Sequence, residues 1–206
     1  GALLISLFAY ENPQLGNWLD ALATADQACH LLVPQGRIVA GLSQWLGEGP
    51  LHVGDVRTRG ALTVQVLPFV SQDDFDRLLW SCDFNAVRGE DSFVRAHLAG
   101  KPFIWQIYAT QVNAHAAKLA SFFHLYRQGL GEDCAAALWN CWSSWNRLDD
   151  SKDFSDSWKT LNSHWPELRA HAKAWQKKLF DGPELVKEVL TWHGGQTPTL
   201  IEKPDL

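Results

Sequence analysis

Methionine is absent from this chain, and Gly1 reads as a cut end, because the strand-like run from Ala2 to Phe8 begins at once. Domains rarely open on a buried strand with nothing before it, so a preceding N-terminal part is expected. No apolar run approaches the ~20 residues of a membrane-spanning helix, and no basic-then-apolar leader is present, so a cytoplasmic protein with no membrane partner is expected. Cysteine is scarce: Cys29, Cys82, Cys134 and Cys141 show no paired short spacing. That disfavours a disulfide framework and a zinc knuckle and leaves buried free thiols. The eight histidines are scattered, and His164 and His171, seven apart on one helical face, read as packing or surface positions. No metal is assigned. Basic residues are also short: 18 Lys and Arg face 23 Asp and Glu, a net charge of -5. Such a chain has no basic stripe to release counterions, which excludes a general nucleic-acid grip and suits a basic protein partner better.

Present instead are short apolar runs alternating with helical patterns over the first hundred residues. Leu3 to Phe8, His30 to Pro34, Leu62 to Leu67, Phe84 to Val87 and Pro102 to Ile107 read as strands. Gln14 to Asp26, Gly36 to Leu46, Gln72 to Cys82 and Ser92 to Ala99 carry apolar residues at three and four spacing and read as helices, with Ser71 and Asp74 in capping-box order. Strands alternating with helices imply an α/β fold: a Rossmann-like parallel sheet covered on both faces, with right-handed crossovers. From about Asn113 the pattern turns helical. Asn113 to Gln128, Glu132 to Asn146, Ser155 to Phe180 and Pro183 to Trp192 read as helices, with breaks near Gly129 to Gly131, Asp149-Asp150 and Gly182-Pro183, and with Pro166 dividing the third or opening its second piece. Trp139, Trp142 and Trp145 form a stripe that reads as core or an interdomain seam. The organisation expected is a Rossmann-like core over 1–112, a helical extension packed on it over 113–196, and a tail over 197–206.

The segment Arg88-Gly89-Glu90-Asp91-Ser92-Phe93-Val94-Arg95-Ala96 reads as a glycine turn feeding two acids and a hydroxyl into a helix start. Gly89 takes a positive φ without cost, Asp91 or Ser92 can cap the helix, and the free amides suit a phosphate. Glu90 at the rim would repel a phosphate but can accept ribose hydroxyls. Taken alone, the same segment is also a capped surface helix with solvated charges. In an open parallel sheet the ligand lies beyond the carboxyl ends of the strands. Phe8 and Tyr10, Phe69 and Gln72, Arg88 to Ser92, and Tyr108 all follow predicted strands and so converge there.

These segments, with Leu67 to Asp83 and Gly100 to Tyr108, resemble the EarP family, protein-arginine rhamnosyltransferases that modify bacterial elongation factor P. The resemblance covers only the second half of that family. It implies the second of the two Rossmann-like domains of a GT-B glycosyltransferase, the one that binds dTDP-β-L-rhamnose. The first domain would hold most contacts with elongation factor P and an essential aspartate. The family's donor-site motifs fall on Phe8 and Tyr10, on Phe69, Gln72 and Phe75, and on Arg88, Gly89, Glu90, Asp91 and Ser92. Phe69 and Phe75 would then stack on the base, and Gln72 would read a thymine edge, its carboxamide complementing an imide. Phe75 is equally a helix-core residue, and Gln72 a first helical residue. Arg88, Tyr108 and the helix amides would carry the leaving diphosphate in an inverting transfer without a divalent ion or other cofactor. Glu90 either holds the ribose or orients the reacting arginine as a catalytic residue; the ribose is favoured. Two other readings stand beside this one: another nucleotide-sugar transferase or epimerase of the same type, and a non-catalytic helical interaction module.

Overall fold

The computed structural model describes residues 1–109, 114–148 and 153–182. Its centre is a six-stranded sheet formed by β1 (Leu3–Leu7), β2 (Cys29–Pro34), β3 (Val56–Arg59), β4 (Leu62–Leu67), β5 (Phe84–Arg88) and β6 (Phe103–Gln106), in the order β3-β4-β2-β1-β5-β6. The helices of this α/β part are α1 (Leu15–Ala23), α2 (Val39–Leu46), α3 (Gln72–Ser81) and α4 (Asp91–Ala99). The helices that follow are α5 (Ala114–Tyr126), α6 (Glu132–Trp145), α7 (Phe154–Ser163) and α8 (Trp165–Phe180).

β1, β2, β4, β5 and β6 pair in parallel, and all four residues of β6 are buried, as expected of strands covered on both faces. The chain steps outward from β1 to β2 to β4 through α1 and α2, then returns through α3 to β5 on the other side of β1. With right-handed crossovers this reversal puts α1 and α2 on one face and α3 and α4 on the other. Contacts follow that division: α1 touches α2 and α7, while α4 touches α3 and α8. The reversal point lies between β1 and β5, the position at which open α/β sheets hold their ligands.

One strand departs from the expected all-parallel sheet. β3 pairs antiparallel with β4, from Val56 opposite Gln65 to Arg59 opposite Leu62. Its sequence, Val-Arg-Thr-Arg, has one apolar residue and no buried position, so it lacks the hydrophobic signal of an interior strand; charge on an edge strand also discourages pairing with other chains. The turn into β4 requires Gly60, at φ 59°, since a Cβ there would stand 2.1 Å from the Ala23 carbonyl oxygen.

Pro166 lies at the start of α8 and so separates it from α7, where a proline lacking an N–H costs no helical hydrogen bond. Trp142 and Trp145 are fully buried, and Trp139 packs against Phe123 at 5.0 Å between centroids. All four cysteines are free and buried. The helix read over Pro183 to Trp192, the tail after it and the break at Asp149-Asp150 lie outside the described residues. No described helix is long and apolar enough to cross a membrane.

Candidate nucleotide-sugar site

At the carboxyl ends of β1, β4 and β5 lies an open cavity of about 520 Å³. Phe8, Tyr10, Phe69, Gln72, Phe75, Arg88, Glu90, Asp91 and Ser92 line it, together with Pro34, Val70, Ser71 and Arg95. Of the candidates from the sequence, Gly89 and Tyr108 are not in the lining. Gly89 forms the turn beneath it, and Tyr108, largely exposed, stands edge-on to Tyr10 at 6.1 Å.

The turn from β5 into α4 is fixed from several sides. Gly89 adopts φ 65°, its N–H donates to the Gln106 carbonyl at 3.1 Å, and its own carbonyl accepts from the Trp105 indole. A Cβ on Gly89 would come within 3.2 Å of the Tyr10 hydroxyl and would add to the strain that a side chain already meets at this positive φ, so the turn favours glycine. Gln106 ties the next loop in as well: its carboxamide oxygen accepts from the Tyr10 N–H at 2.8 Å.

Neither Asp91 nor Ser92 caps α4, contrary to expectation. The positive φ at Gly89 puts Glu90 already in helical geometry, so Glu90 is the N-cap residue, and its side chain makes no capping bond. Asp91 becomes the first helical residue, with its carboxylate 3.0 Å from Arg95 one turn on. The buried Ser92 turns its hydroxyl back to the Arg88 carbonyl. The helix therefore presents its first amides to the cavity without a side-chain cap, which is the arrangement that receives an anion. α3 contrasts with it. Ser71 accepts from the Asp74 N–H at 3.2 Å, so that helix start is already satisfied. In place of the reciprocal backbone bond of a capping box, the Ser71 hydroxyl donates to the Asp74 carboxylate at 2.9 Å, Asp being shorter than the usual Glu.

Charge is sorted to match. Arg95, which the sequence reading left without a role, bridges Asp76 at 2.8 Å and Asp91, and so fixes α4 against α3. Its signal was the four-residue step from Asp91. Glu90 pairs with Lys118 of α5, which holds its carboxyl below the ordinary range. Lys118 was also missed, because nothing local in sequence joins residues 28 apart. Arg88 remains. Its guanidinium lies 4.5 Å from the ring centroids of both Phe8 and Tyr10, and among the described residues it has no carboxylate partner. Two aromatic faces hold this cation in place while leaving its N–H donors available for an oxyanion. Phe8 also meets Phe75 edge-on at 5.3 Å. Phe75 is at once core and cavity wall at 8% exposure, whereas Phe69 is 75% exposed.

The family model described as elongation factor P (EF-P) rhamnosyltransferase EarP matches residues 1–194. The chain belongs to that family. As an EarP-family chain it is 67% identical over 193 residues to the protein-arginine rhamnosyltransferase of Pseudomonas putida, covering 94% of this chain and 50% of the relative. It is 48% identical over the same length to the protein of that name from Pseudomonas aeruginosa, again covering 50% of it. A solved structure described as the structural basis for EarP-mediated arginine glycosylation of translation elongation factor EF-P superposes with a TM-score of 0.85 at 64% identity, covering 96% of this chain and 62% of that one. This EarP-family chain thus spans about half the length of the curated relatives it matches.

Proposed function

We propose that this chain is the donor-binding half of an inverting GT-B glycosyltransferase that moves rhamnose from dTDP-β-L-rhamnose to an arginine of elongation factor P. The observation that carries this reading is the pairing of an uncapped helix start with Arg88, which makes no salt bridge among the described residues, in one cavity that also has an exposed aromatic wall. A diphosphate fits the first two and a flat base the third. Family membership supplies the sugar and the acceptor class.

In this reading Phe69 and Phe75 flank the thymine, and Gln72 meets its imide edge with one donor and one acceptor. Glu90 accepts the ribose hydroxyls; its pairing with Lys118 removes the repulsion that a bare carboxylate would exert on the phosphates beside it. The α4 amides and Arg88 bind the diphosphate, with Tyr108 at the margin. As the sugar–phosphate bond breaks, negative charge gathers on the leaving diphosphate. Donors already aimed at that charge stabilise it without reorganising, a task a divalent ion performs in other transferases. Inversion requires the acceptor guanidine to attack from the opposite face of the sugar. The group that orients it and takes its proton belongs to the other half of the enzyme, and the acceptor protein binds mainly there. The reaction belongs to the cytoplasm, where translation factors work.

Amide chemical shifts on titration with dTDP, dTDP-rhamnose and UDP test the reading. Shifts should centre on 8–10, 69–75 and 88–92, with UDP binding more weakly. No shifts at millimolar dTDP, or shifts confined to α6–α8, would overturn it. The chain alone should not transfer rhamnose.

A further inference from the structure

Three residues of the helical part come together in a way the transfer reading does not use. Cys134 lies in the first turn of α6, His164 between α7 and α8, and Glu167 in the first turn of α8. The thiol sulfur, an imidazole nitrogen and a carboxylate oxygen lie within 4.8 Å of one another. We propose that Cys134, His164 and Glu167 bind one divalent cation of the zinc class, with water in the fourth position.

Sulfur, nitrogen and oxygen donors together are the ligand set of a borderline cation and are unsuited to magnesium or calcium, which take oxygen. The Glu167 carboxylate and the His164 backbone are held before any ion arrives. Glu167 already accepts the Gly131 N–H at 2.6 Å, the kind of outer hydrogen bond that orients a ligating carboxylate. The His164 backbone bonds on both sides, its N–H to Leu161 at 3.0 Å and its carbonyl from Leu168 at 3.0 Å, which fixes where the ring starts. Burial also grades outward, from Cys134 inside through His164 to the exposed Glu167, so the fourth position opens to water. Without an ion, burial and the neighbouring carboxylate push the thiol up to about 11. On binding, the thiol proton passes to solvent and the thiolate, the neutral imidazole and the carboxylate each give an electron pair to the cation. The ion would join the start of α6 to the α7–α8 junction. None of the cavity-lining residues belongs to these helices, so the site is structural and separate from sugar transfer. No short motif announces it, because Cys134 is far in sequence from His164 and only His-x-x-Glu is local.

The test uses the full 206-residue chain and cobalt(II) as the probe. Added cobalt should give a thiolate-to-cobalt band in the near ultraviolet and visible bands with the intensity of a four-coordinate ion, and equimolar zinc should erase both. Zinc should also raise Tm, and EDTA should reverse the rise. Cys134→Ser should lose the near-ultraviolet band. Glu167→Gln and His164→Ala should each weaken binding by at least about 10-fold, since losing a ligand costs no less than losing an outer-shell partner. A missing band in the parent chain, or a band that survives in Cys134→Ser, overturns the site. Should Cys134→Ser not fold, the exposed Glu167→Gln decides. Unchanged cobalt affinity there would mean that the cluster is only a thiol–carboxylate hydrogen bond between helices.

Discussion

Rings at the sheet mouth and rings along the helical side differ in what they leave unsatisfied. At the mouth Phe69 presents an open face, Tyr108 is 66% exposed, and Phe8 and Tyr10 spend theirs holding a guanidinium that makes no salt bridge among the described residues. Along β6 and α4, α5, α6 and α8 most of the rings satisfy one another, although the buried Trp145 indole N–H has no hydrogen-bond partner among the described residues. Trp142 stacks on Phe122 at 5.7 Å and 9° and on Tyr126 at 5.8 Å, and its indole N–H reaches the Phe103 carbonyl at 3.2 Å. The Trp175 indole donates to His97 at 2.9 Å, and the His171 ring meets the Tyr126 carbonyl at 2.8 Å. Aromatic content alone does not separate scaffold from site. Solvent-facing rings and a cation without an ion pair do, and the difference can be measured as stability against affinity.

The largest effect expected is at Trp142. Trp142→Ala removes a fully buried indole and should cost about 3–5 kcal/mol of folding stability, read from urea unfolding. Phe69→Ala should stay within about 0.5 kcal/mol of the parent in the same assay, as an exposed ring should. It should instead weaken dTDP binding by about 1–3 kcal/mol, the worth of one base stack. A Trp142→Ala chain as stable as the parent would dissolve the distinction, and so would a Phe69→Ala chain with full dTDP affinity.

The buried side should also respond to acid. Burial lowers His97 from its ordinary 6.5 to about 4, and it shifts His171 in the same direction. A folded-state histidine kept neutral favours the fold fully above the unfolded value. Protonation of the unfolded chain then erodes that contribution as pH falls from about 6.5 toward the folded value. Stability should therefore drop by about 1–3 kcal/mol between pH 7 and pH 4.5 from this source. The His97 ring protons should titrate near 4 by NMR. A midpoint near 6.5 would show that the ring meets water and that the Trp175 contact is not kept.

At the mouth, Arg88→Met should leave Tm nearly unchanged and weaken dTDP binding by about 10- to 100-fold, the range for a hydrogen bond to a charged group. The thioether chain can still fill the space between Phe8 and Tyr10, so the variant removes charge more than packing. Equal binding of thymidine by parent and variant would place the loss on the phosphates. An unchanged dTDP Kd would leave the cation without the ligand assigned to it.

Most of this architecture was legible because its signals are local. The strands that build the parallel sheet are apolar runs, Pro166 marks a helix start, and the Arg88 to Ser92 segment carries its glycine turn in view. What stayed hidden depends on pairing across the chain. β3 has one apolar residue and no buried position, so hydrophobic reading passes over Val56 to Arg59. Asp91 and Ser92 have the composition of caps, yet the backbone at Gly89 starts the helix one residue earlier and turns both side chains to other work. Lys118 and the Cys134, His164 and Glu167 group join elements far apart in sequence, where neither spacing nor periodicity carries information. Recognition of the donor motifs gave the residues that meet at the mouth; the uncapped amides and the aromatic clamp on Arg88 emerged only in three dimensions.

The smallest expected effect concerns the Glu90–Lys118 ion pair at the rim. Glu90 and Lys118 are both largely exposed, so their pairing should not register in thermal unfolding. Its expected role is electrostatic: it would cancel a carboxylate standing beside the helix start proposed to receive the diphosphate. Lys118→Met leaves that carboxylate bare and should weaken dTDP binding on the order of 2- to 5-fold at low salt, with the penalty shrinking as ionic strength rises, because screening acts on exposed charges first. Glu90→Gln removes the charge while keeping an acceptor for the ribose. In that background Lys118→Met should cost almost nothing further. Two titrations at low and high salt for the four chains of this cycle are sufficient. If Lys118→Met binds dTDP as the parent does at low salt, Glu90 does not face the phosphates, and the ribose role assigned to it must be moved to another acid at the mouth, with Asp91 the first to examine.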